Sequence, residues 1–259
     1  MRCRLGYVFS LCICLIAGNA VAKDTAKKFF ADFENVEKSE FAQKLLAHAN
    51  ASYAKGKGKD GSNCVRIAYV GYEKGSKRTS RHYDLGFSLQ TAVLEFDVKF
   101  EQDFQWVKGG KLHGLGPDKP VTGGKEMSPG SWSSRIMFLK SGGCCTYLYN
   151  QTKATKYGET VSTKKSVFQA GKWHRVKMET KVNDLGKANG YTKVWIDGKL
   201  LLEHNKVMFR KAGGDETLIR RLLFSTFHGG ASPSWAPKDK ERKYTTVYAL
   251  FDNFSVEGQ

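Results

Sequence analysis

Acidic residues are scarce in this 259-residue sequence, in which 25 Asp and Glu stand against 42 Lys and Arg, giving a formal net charge of +17. Glycoside hydrolysis needs two carboxyl groups flanking the scissile bond, and no such pair is evident. Glu95 and Asp97 alternate with apolar residues in a strand-like stretch, so we expect both to face solvent. The scarcity of acids therefore disfavours a glycoside hydrolase.

Long apolar runs are absent outside the N-terminal segment. There, two arginines precede an apolar run over residues 7–17 that is too short to span a bilayer, and a small-x-small cleavage site ends at Ala22. This pattern is typical of a secretory signal peptide. We therefore predict a signal peptide over residues 1–22 and a single domain over residues 23–259. The mature protein should be a secreted, extracellular monomer that does not associate with membranes.

Signatures of several enzyme classes are missing too. The sequence contains no GxSxG, HExxH, phosphate-binding loop or CxxC motif, which argues against α/β-hydrolases, zinc proteases, P-loop enzymes and thiol oxidoreductases. No nucleic-acid-binding motif accompanies the positive charge. For a basic protein outside the cell, the predicted partner is therefore an acidic polysaccharide and not nucleic acid.

Cysteines are few, and three of the six lie in the predicted signal peptide. The remaining Cys64, Cys144 and Cys145 have no metal-site spacing, so no metal is predicted. In an oxidising compartment we expect one disulfide, between Cys64 and either member of the vicinal pair. The sequence leaves open which cysteine pairs and which keeps a free thiol.

The regular patterns that are present favour an all-β fold. Apolar and polar residues alternate over 94–100 and over 173–182, as in half-buried strands. Asp197-Gly198 separates two further strand-like stretches and is a typical hairpin turn. Several short strands with glycine-rich turns predict a jelly-roll β-sandwich with a concave substrate cleft. One helix is expected over residues 40–50.

A second predicted hairpin carries the chemically distinctive residues. Residues 132–140 alternate, a Ser-Gly-Gly turn follows, and residues 144–150 form the predicted returning strand. Side chains two apart on a strand share a face, as do opposite residues of an antiparallel pair, so one face should gather a hydroxyl, a cation and two phenols. These residues are Ser133, Arg135, Tyr147 and Tyr149. The glycine-flanked Lys111 precedes them, followed by a predicted loop over residues 114–131.

Cations and phenols without paired acids suit β-elimination on a uronate polymer. Removal of the weakly acidic C5 proton places a second negative charge on the neighbouring carboxylate, which a cation or a neutral donor must stabilise. A base takes that proton, and an acid protonates the departing O4 oxygen. Tyrosine can serve in both roles when a nearby Lys or Arg favours its phenolate. This scheme requires no metal and no cofactor.

The order and spacing of these residues resemble those of a known family. Lys111 within GGKLHGLG, followed by Ser133-Ser134-Arg135 and Tyr147-Leu148-Tyr149, is similar to the motif set of polysaccharide lyase family 14, which includes alginate lyases and relatives from molluscs and algal viruses. The resemblance extends more loosely over residues 65–256. It implies a β-jelly roll with a cleft that cleaves acidic polysaccharide. The implied catalytic residues are Lys111, Tyr147 and Tyr149, and the implied substrate-binding residues are Ser133 and Arg135.

Two histidines are further candidates for substrate binding. His82 lies on a predicted strand, and related jelly-roll lyases that cut glucuronan use a histidine near the cleft. His113 stands where the family commonly has a proline, two residues after Lys111. We expect its ring to reach the same groove as the Lys111 amine.

The leading functional hypothesis is a secreted lyase that cleaves alginate, a polymer of mannuronate and guluronate, to give unsaturated uronates. The same chemistry on glucuronan or another polyuronate is an alternative, because the sequence does not show which C5 epimer faces the base. A third hypothesis is a non-catalytic, lectin-like module that only binds acidic polysaccharide. The two phenols beside Arg135 favour an enzyme, since binding alone does not need them.

Overall fold

The structure, a computed structural model, describes residues 27–258, so the predicted signal peptide over residues 1–22 lies outside the described residues. In chain order the elements are β1 (Lys27–Ala31), α1 (Glu40–Leu46), β2 (Ala51–Ala54), β3 (Cys64–Tyr72), β4 (Gly75–Ser76), β5 (Thr79–Leu89), β6 (Thr91–Phe100), β7 (Gly109–Gly116), β8 (Ser133–Leu139), β9 (Cys144–Tyr149), β10 (Trp173–Lys181), β11 (Gly190–Ile196), β12 (Lys199–Val207), β13 (Ile219–His228) and β14 (Thr246–Gly258). None of the helices in this part of the chain is long and apolar enough to cross a membrane.

The strands form two antiparallel sheets. The larger sheet has the order β12-β11-β10-β6-β14-β3-β2, with β1 also paired to β14 and β4 to β3. The smaller sheet has the order β5-β13-β7-β8-β9. Both predicted hairpins are present, β8–β9 and β11–β12. The predicted jelly-roll β-sandwich is thereby confirmed, and the small sheet carries the residues singled out in the sequence.

The core lies between the two sheets and is rich in aromatic rings, because each strand places every second residue there. On β6, Leu94, Phe96, Val98 and Phe100 are fully buried, as their alternation predicts. The rings of Phe96 and Phe254 stack with centroids 5.7 Å apart. This packing leaves the opposite face of the small sheet available for polar chemistry.

The solvent-facing position predicted for Asp97 is wrong. Asp97 lies on the outer face of the large sheet but is only 3% exposed, and its carboxylate accepts hydrogen bonds from Arg175 and Asn253. Glu95 is half-buried on the same face and pairs with Arg175 at 2.9 Å. The Arg175 side chain covers both acids. The alternation of apolar and polar residues along β6 does not predict this contact from a neighbouring strand.

Asp252, on β14, is fully buried beside Asp97, and loss of hydration raises the pKa of its carboxyl from 3.8 to about 6. The folded protein therefore holds a proton that the unfolded chain has already released, so this residue's contribution to stability falls as pH rises between those two values. Asp252→Asn should remove that fall, measured as the free energy of unfolding in urea across the window. The exposed Asp215→Asn control should keep the wild-type pH dependence. A wild-type dependence in Asp252→Asn would contradict this account of the buried carboxyl.

The expected disulfide is absent. Cys64, Cys144 and Cys145 are all free and buried. Cys64 lies in the large sheet and belongs to a small separate cluster with Ala54 and Leu250, whereas the vicinal pair lies on β9 in the small sheet. Cys64 lies outside the main core cluster between the sheets, to which Cys144 belongs, so the two do not meet there.

The predicted loop from residue 114 begins later than expected, because β7 continues to Gly116. A Cβ atom on Gly114 would collide with the carbonyl oxygen of Ser134 and would lie 2.6 Å from the Cα of Arg135. Glycine at this position therefore permits close approach of β7 and β8. The same residue type that suggested a loop is here a requirement of strand packing.

Candidate active site

The β8–β9 hairpin sets the geometry of the candidate site. Its register places Arg135 opposite Tyr147 and Ser133 opposite Tyr149. Opposite residues of an antiparallel pair share a face of the sheet. The structure therefore brings together the four residues that the alternation placed on one side. They lie on one face of the small sheet, which is called the cleft face below.

Lys111 joins this face from the neighbouring strand β7, where it lies opposite Met137. Its Nζ donates to the Met137 sulfur at 3.0 Å and lies 3.7 Å from the ring centroid of Tyr147. Burial, followed by the positive charge of Arg135, lowers the pKa of this amine to about 7. At neutral pH a large share of Lys111 is therefore the unprotonated amine, which can accept a proton.

Arg135 is a buried cation that forms no ion pair with any carboxylate of residues 27–258. The residue is only 4% exposed, and its Nε and Nη2 atoms are buried without a hydrogen-bond partner. Burial lowers the pKa of its guanidinium to about 10, so the group stays charged at neutral pH. Buried charges are normally paired, and a guanidinium with free nitrogens has the geometry to bind a carboxylate through two hydrogen bonds.

The two tyrosines occupy different environments. Tyr149 is fully buried, and its hydroxyl oxygen accepts a hydrogen bond of 2.8 Å from the backbone N–H of Gly124. Tyr147 is half-buried, and its ring centroid lies 5.6 Å from that of Tyr149. Burial, and then the neighbouring phenol of Tyr149, raise the pKa of Tyr147 above its usual value. Tyr147 therefore holds its proton at neutral pH and is available as a proton donor.

Ser133 does not present a free hydroxyl to the cleft. The residue is fully buried, and its Oγ donates to the carbonyl oxygen of Val121 at 2.8 Å. This contact ties the loop between β7 and β8 to the start of β8. In the structure Ser133 thus holds the loop that also carries Gly124, the partner of Tyr149.

The prediction that His113 reaches the groove is wrong. Its ring is fully buried in the core and lies 4.2 Å from Phe224 and 4.7 Å from Phe96 between ring centroids. Its Nδ1 accepts a hydrogen bond from the backbone N–H of Ser225, and burial lowers its pKa to about 3. A β-bulge between Lys111 and Gly114 causes the difference, because the extra residue turns His113 inward.

His82 does join the cleft face, at its far edge on β5. Pairing runs across the small sheet from His82 to Leu223, then Gly114, then Arg135 and Tyr147. The His82 ring is exposed. Partial desolvation and the charges of Arg135 and Arg221 lower its pKa, so the imidazole is neutral at neutral pH and able to donate or accept one hydrogen bond to a sugar.

Three residues of the site were not singled out in the sequence. Met137 contacts the Lys111 amine. It lies two residues after Arg135 on the same strand, so the alternation of side chains already predicts that it shares the cleft face. Cys145 lies opposite Met137, and burial raises the pKa of its thiol to about 11, so it is not a competing base. Gly124 contributes only a backbone N–H, for which no sequence signal exists.

The sequence profile of the family described as polysaccharide lyase 14 matches residues 49–248. The chain belongs to the polysaccharide lyase 14 family. Its expected resemblance is thus confirmed, and the chain is a polysaccharide lyase by family. At the level of sequence alone, no curated protein gives a significant match.

Several solved structures share the fold of this polysaccharide lyase. A variant of alginate lyase Aly36B in complex with alginate tetrasaccharide is 18% identical, with a TM-score of 0.68 over 90% of this chain and 97% of that one. The family 14 alginate lyase from Aplysia kurodai is 24% identical, with a TM-score of 0.64 over 88% and 97%. The endo-β-1,4-glucuronan lyase from Trichoderma reesei is 15% identical, with a TM-score of 0.62 over 89% and 95%. At these identities the likeness establishes the fold.

Proposed function

We propose that this polysaccharide lyase is secreted and cleaves alginate by metal-independent β-elimination, giving unsaturated uronates. The observation that carries the proposal is the buried Arg135 guanidinium, whose two unpartnered nitrogens lie on the same face as an amine of lowered pKa and a protonated phenol. That set supplies a carboxylate site, a base and an acid. Secretion is supported by the signal-peptide pattern of residues 1–22.

In the proposed reaction, Arg135 binds the carboxylate of the uronate that will be cleaved. As the C5 proton leaves, the carboxylate gains a second negative charge, and the guanidinium stabilises it more strongly than in the ground state. Burial increases that effect because the surroundings screen the charge poorly. Charge neutralisation by a side chain is why the scheme needs no metal ion.

The Lys111 amine accepts the C5 proton. The electron pair of the C5–H bond forms the C4=C5 double bond, and the C4–O4 bond breaks. Tyr147 gives its proton to the departing O4 oxygen, so one proton is taken and one is supplied. Because Lys111 lies against the Tyr147 ring, the proton on the amine can return to the phenolate after the products leave, directly or through one water.

Tyr149 has a positioning role in this scheme. Its hydroxyl is held by the Gly124 N–H, and its ring packs edge-on against that of Tyr147, with centroids 5.6 Å apart. Tyr147→Phe removes the acid and should lower kcat by about 10²-fold or more, whereas Tyr149→Phe should lower it by about tenfold because only orientation is lost. Steady-state kinetics on one polyuronate distinguishes the two. Equal losses in both variants, or a larger loss in Tyr149→Phe, would reverse the assignment.

The direct test is ultraviolet absorbance, which reports the conjugated double bond formed by elimination. Purified mature protein is mixed with alginate, poly-mannuronate, poly-guluronate and glucuronan, with and without a chelator. The proposal expects absorbance to rise on alginate or one of its blocks and to be unaffected by the chelator. Activity confined to glucuronan would favour the alternative substrate, which the similar fold of a glucuronan lyase supports. Binding without any absorbance would favour a lectin-like module.

A further inference from the structure

The cleft face continues beyond Lys111 towards β5. Phe227 of β13 lies opposite Lys111, and the Cζ atom of Arg78 lies 5.3 Å from the centroid of the Phe227 ring. Arg78 immediately precedes β5, two residues before Ser80 and four before His82, so the period of two places it on the same face as His82. Arg78, Phe227 and Lys111 thus lie in one row across the small sheet, and Arg135 and Tyr147 lie in the next row on the same face.

Arg78 is an exposed cation whose charge has no local counterpart. Three arginines of the sandwich are instead held by acids: Arg66 by Glu101, Arg175 by Glu95 and Arg221 by Asp118. Within residues 27–258, no carboxylate lies within ion-pair distance of Arg78. Its field still reaches the site, because its charge is among the causes that lower the pKa of Lys111.

The spacing suits a sugar unit further along the bound chain. Adjacent strands lie about 4.8 Å apart, so Arg78, two strands from Lys111, stands about 10 Å along the face from the reacting unit. That separation matches a chain of linked sugars lying across the strands. The flat Phe227 ring offers an apolar surface for a sugar, as aromatic rings do in carbohydrate clefts, and the guanidinium above it offers donors for a carboxylate.

We infer that Arg78 and Phe227 form a second carboxylate subsite, which binds a uronate further along the same polymer chain than the one held by Arg135. This inference rests on the proposed function and narrows its substrate class. The preferred polymer carries a carboxylate on every unit, as a homopolymeric polyuronate does. A chain with a neutral sugar at that unit leaves the Arg78 subsite without its ion pair and binds more weakly.

The test compares Arg78→Ala, Arg78→Lys and the matched control Arg81→Ala. Arg81 is an exposed arginine on β5, three residues further on and therefore on the other face. Kinetics are measured on the polyuronate that the wild type cleaves, at low salt and at a pH well above the pKa of Lys111. Arg78→Ala should raise KM roughly tenfold with kcat changed less than twofold. Arg78→Lys should restore part of the affinity, and Arg81→Ala should match the wild type.

Two further readouts separate a subsite from a merely structural effect. The KM difference between wild type and Arg78→Ala should shrink as salt is added, because the lost contact is between charges. The acid limb of the pH profile should move to higher pH in Arg78→Ala, because removing a positive charge raises the pKa of Lys111.

Each failure has a distinct meaning. No cleavage of any polyuronate by the wild type overturns the proposed function. An active wild type with KM equal in Arg78→Ala and Arg81→Ala overturns the subsite alone. A fall in kcat with unchanged KM in Arg78→Ala overturns it as well, since Arg78 then acts only through Lys111. Thermal melting of all three variants confirms that the comparison is between folded proteins.

Discussion

Lys111→Ala is expected to lower kcat by about 10³-fold while leaving the fold intact. The estimate follows from the usual 10²–10⁴-fold contribution, roughly, of a positioned general base. The side chain contacts Met137 and the Tyr147 ring through its amine, so its removal opens the cleft without breaking a buried ion pair. The measurement is the initial rate of absorbance increase on the preferred polyuronate, with Lys199→Ala on the exposed β11–β12 turn as the matched control.

The pH dependence sharpens this prediction. The base must be unprotonated, and burial together with Arg135 sets the pKa of Lys111 at about 7, so kcat/KM should rise with pH through that value. Tyr147 must be protonated, and its pKa is raised, so activity should persist into the alkaline range. Lys111→Arg keeps a cation that does not titrate near neutrality. This variant should lose most of the activity, and the remaining activity should not rise with pH near 7. A wild-type profile in Lys111→Arg would remove Lys111 from the base role.

Arg135→Met should lower kcat/KM by about 10³-fold, an effect comparable to loss of the base. Both KM and kcat should suffer, because the guanidinium meets the carboxylate in the ground state and the doubly charged form in the transition state. Arg135→Lys should recover only part of the loss, since an ammonium cannot make two parallel hydrogen bonds. Added guanidinium should partly restore the activity of the Arg135→Ala variant, because the ion can occupy the space left by the missing side chain.

Stability is the second measurement for Arg135. The residue is buried without a counter-charge, so replacing it with an apolar side chain of similar length removes an uncompensated charge and leaves no acid unpaired. Arg135→Met should therefore melt at or above the wild-type temperature while losing activity, as expected when a site is organised for a ligand. A marked drop in melting temperature would show that Arg135 serves the fold and would weaken its assignment to substrate.

Most of the fold could be predicted because its strands alternate cleanly. β6 and both hairpins follow from a period of two and from Asp-Gly or Gly-Gly turns. The end of β7 was predicted as a loop because glycine is a poor strand former. Only the close approach of β8 explains why glycine is required at position 114. The predicted disulfide was wrong for a related reason, since two cysteines can meet only if both strands turn them into the same core, and Cys64 lies outside the core that contains Cys144.

The candidate site was predictable to the extent that it depends on a single hairpin. The side chains of Arg135, Tyr147 and Tyr149 share a face because their parity within β8 and β9 is regular. The position of His113 was predicted wrongly because a bulge changes which face of β7 its residues point to. The residue types in this stretch do not indicate a bulge. The commitment of the Ser133 hydroxyl to Val121 is a long-range contact that alternation does not encode.

The bulge in β7 explains why the lysine and the glycine of this strand are three residues apart. In a regular strand, positions separated by an odd number point to opposite sides. The extra residue resets the phase, so that Lys111 and Gly114 both face the cleft while Leu112 and His113 both enter the core. Shortening this segment by one residue would remove the bulge and leave the lysine on the cleft face, but only one side chain between it and the glycine would then enter the core. The bulge thus lets a single strand supply two consecutive core residues and still return to the face that carries the chemistry.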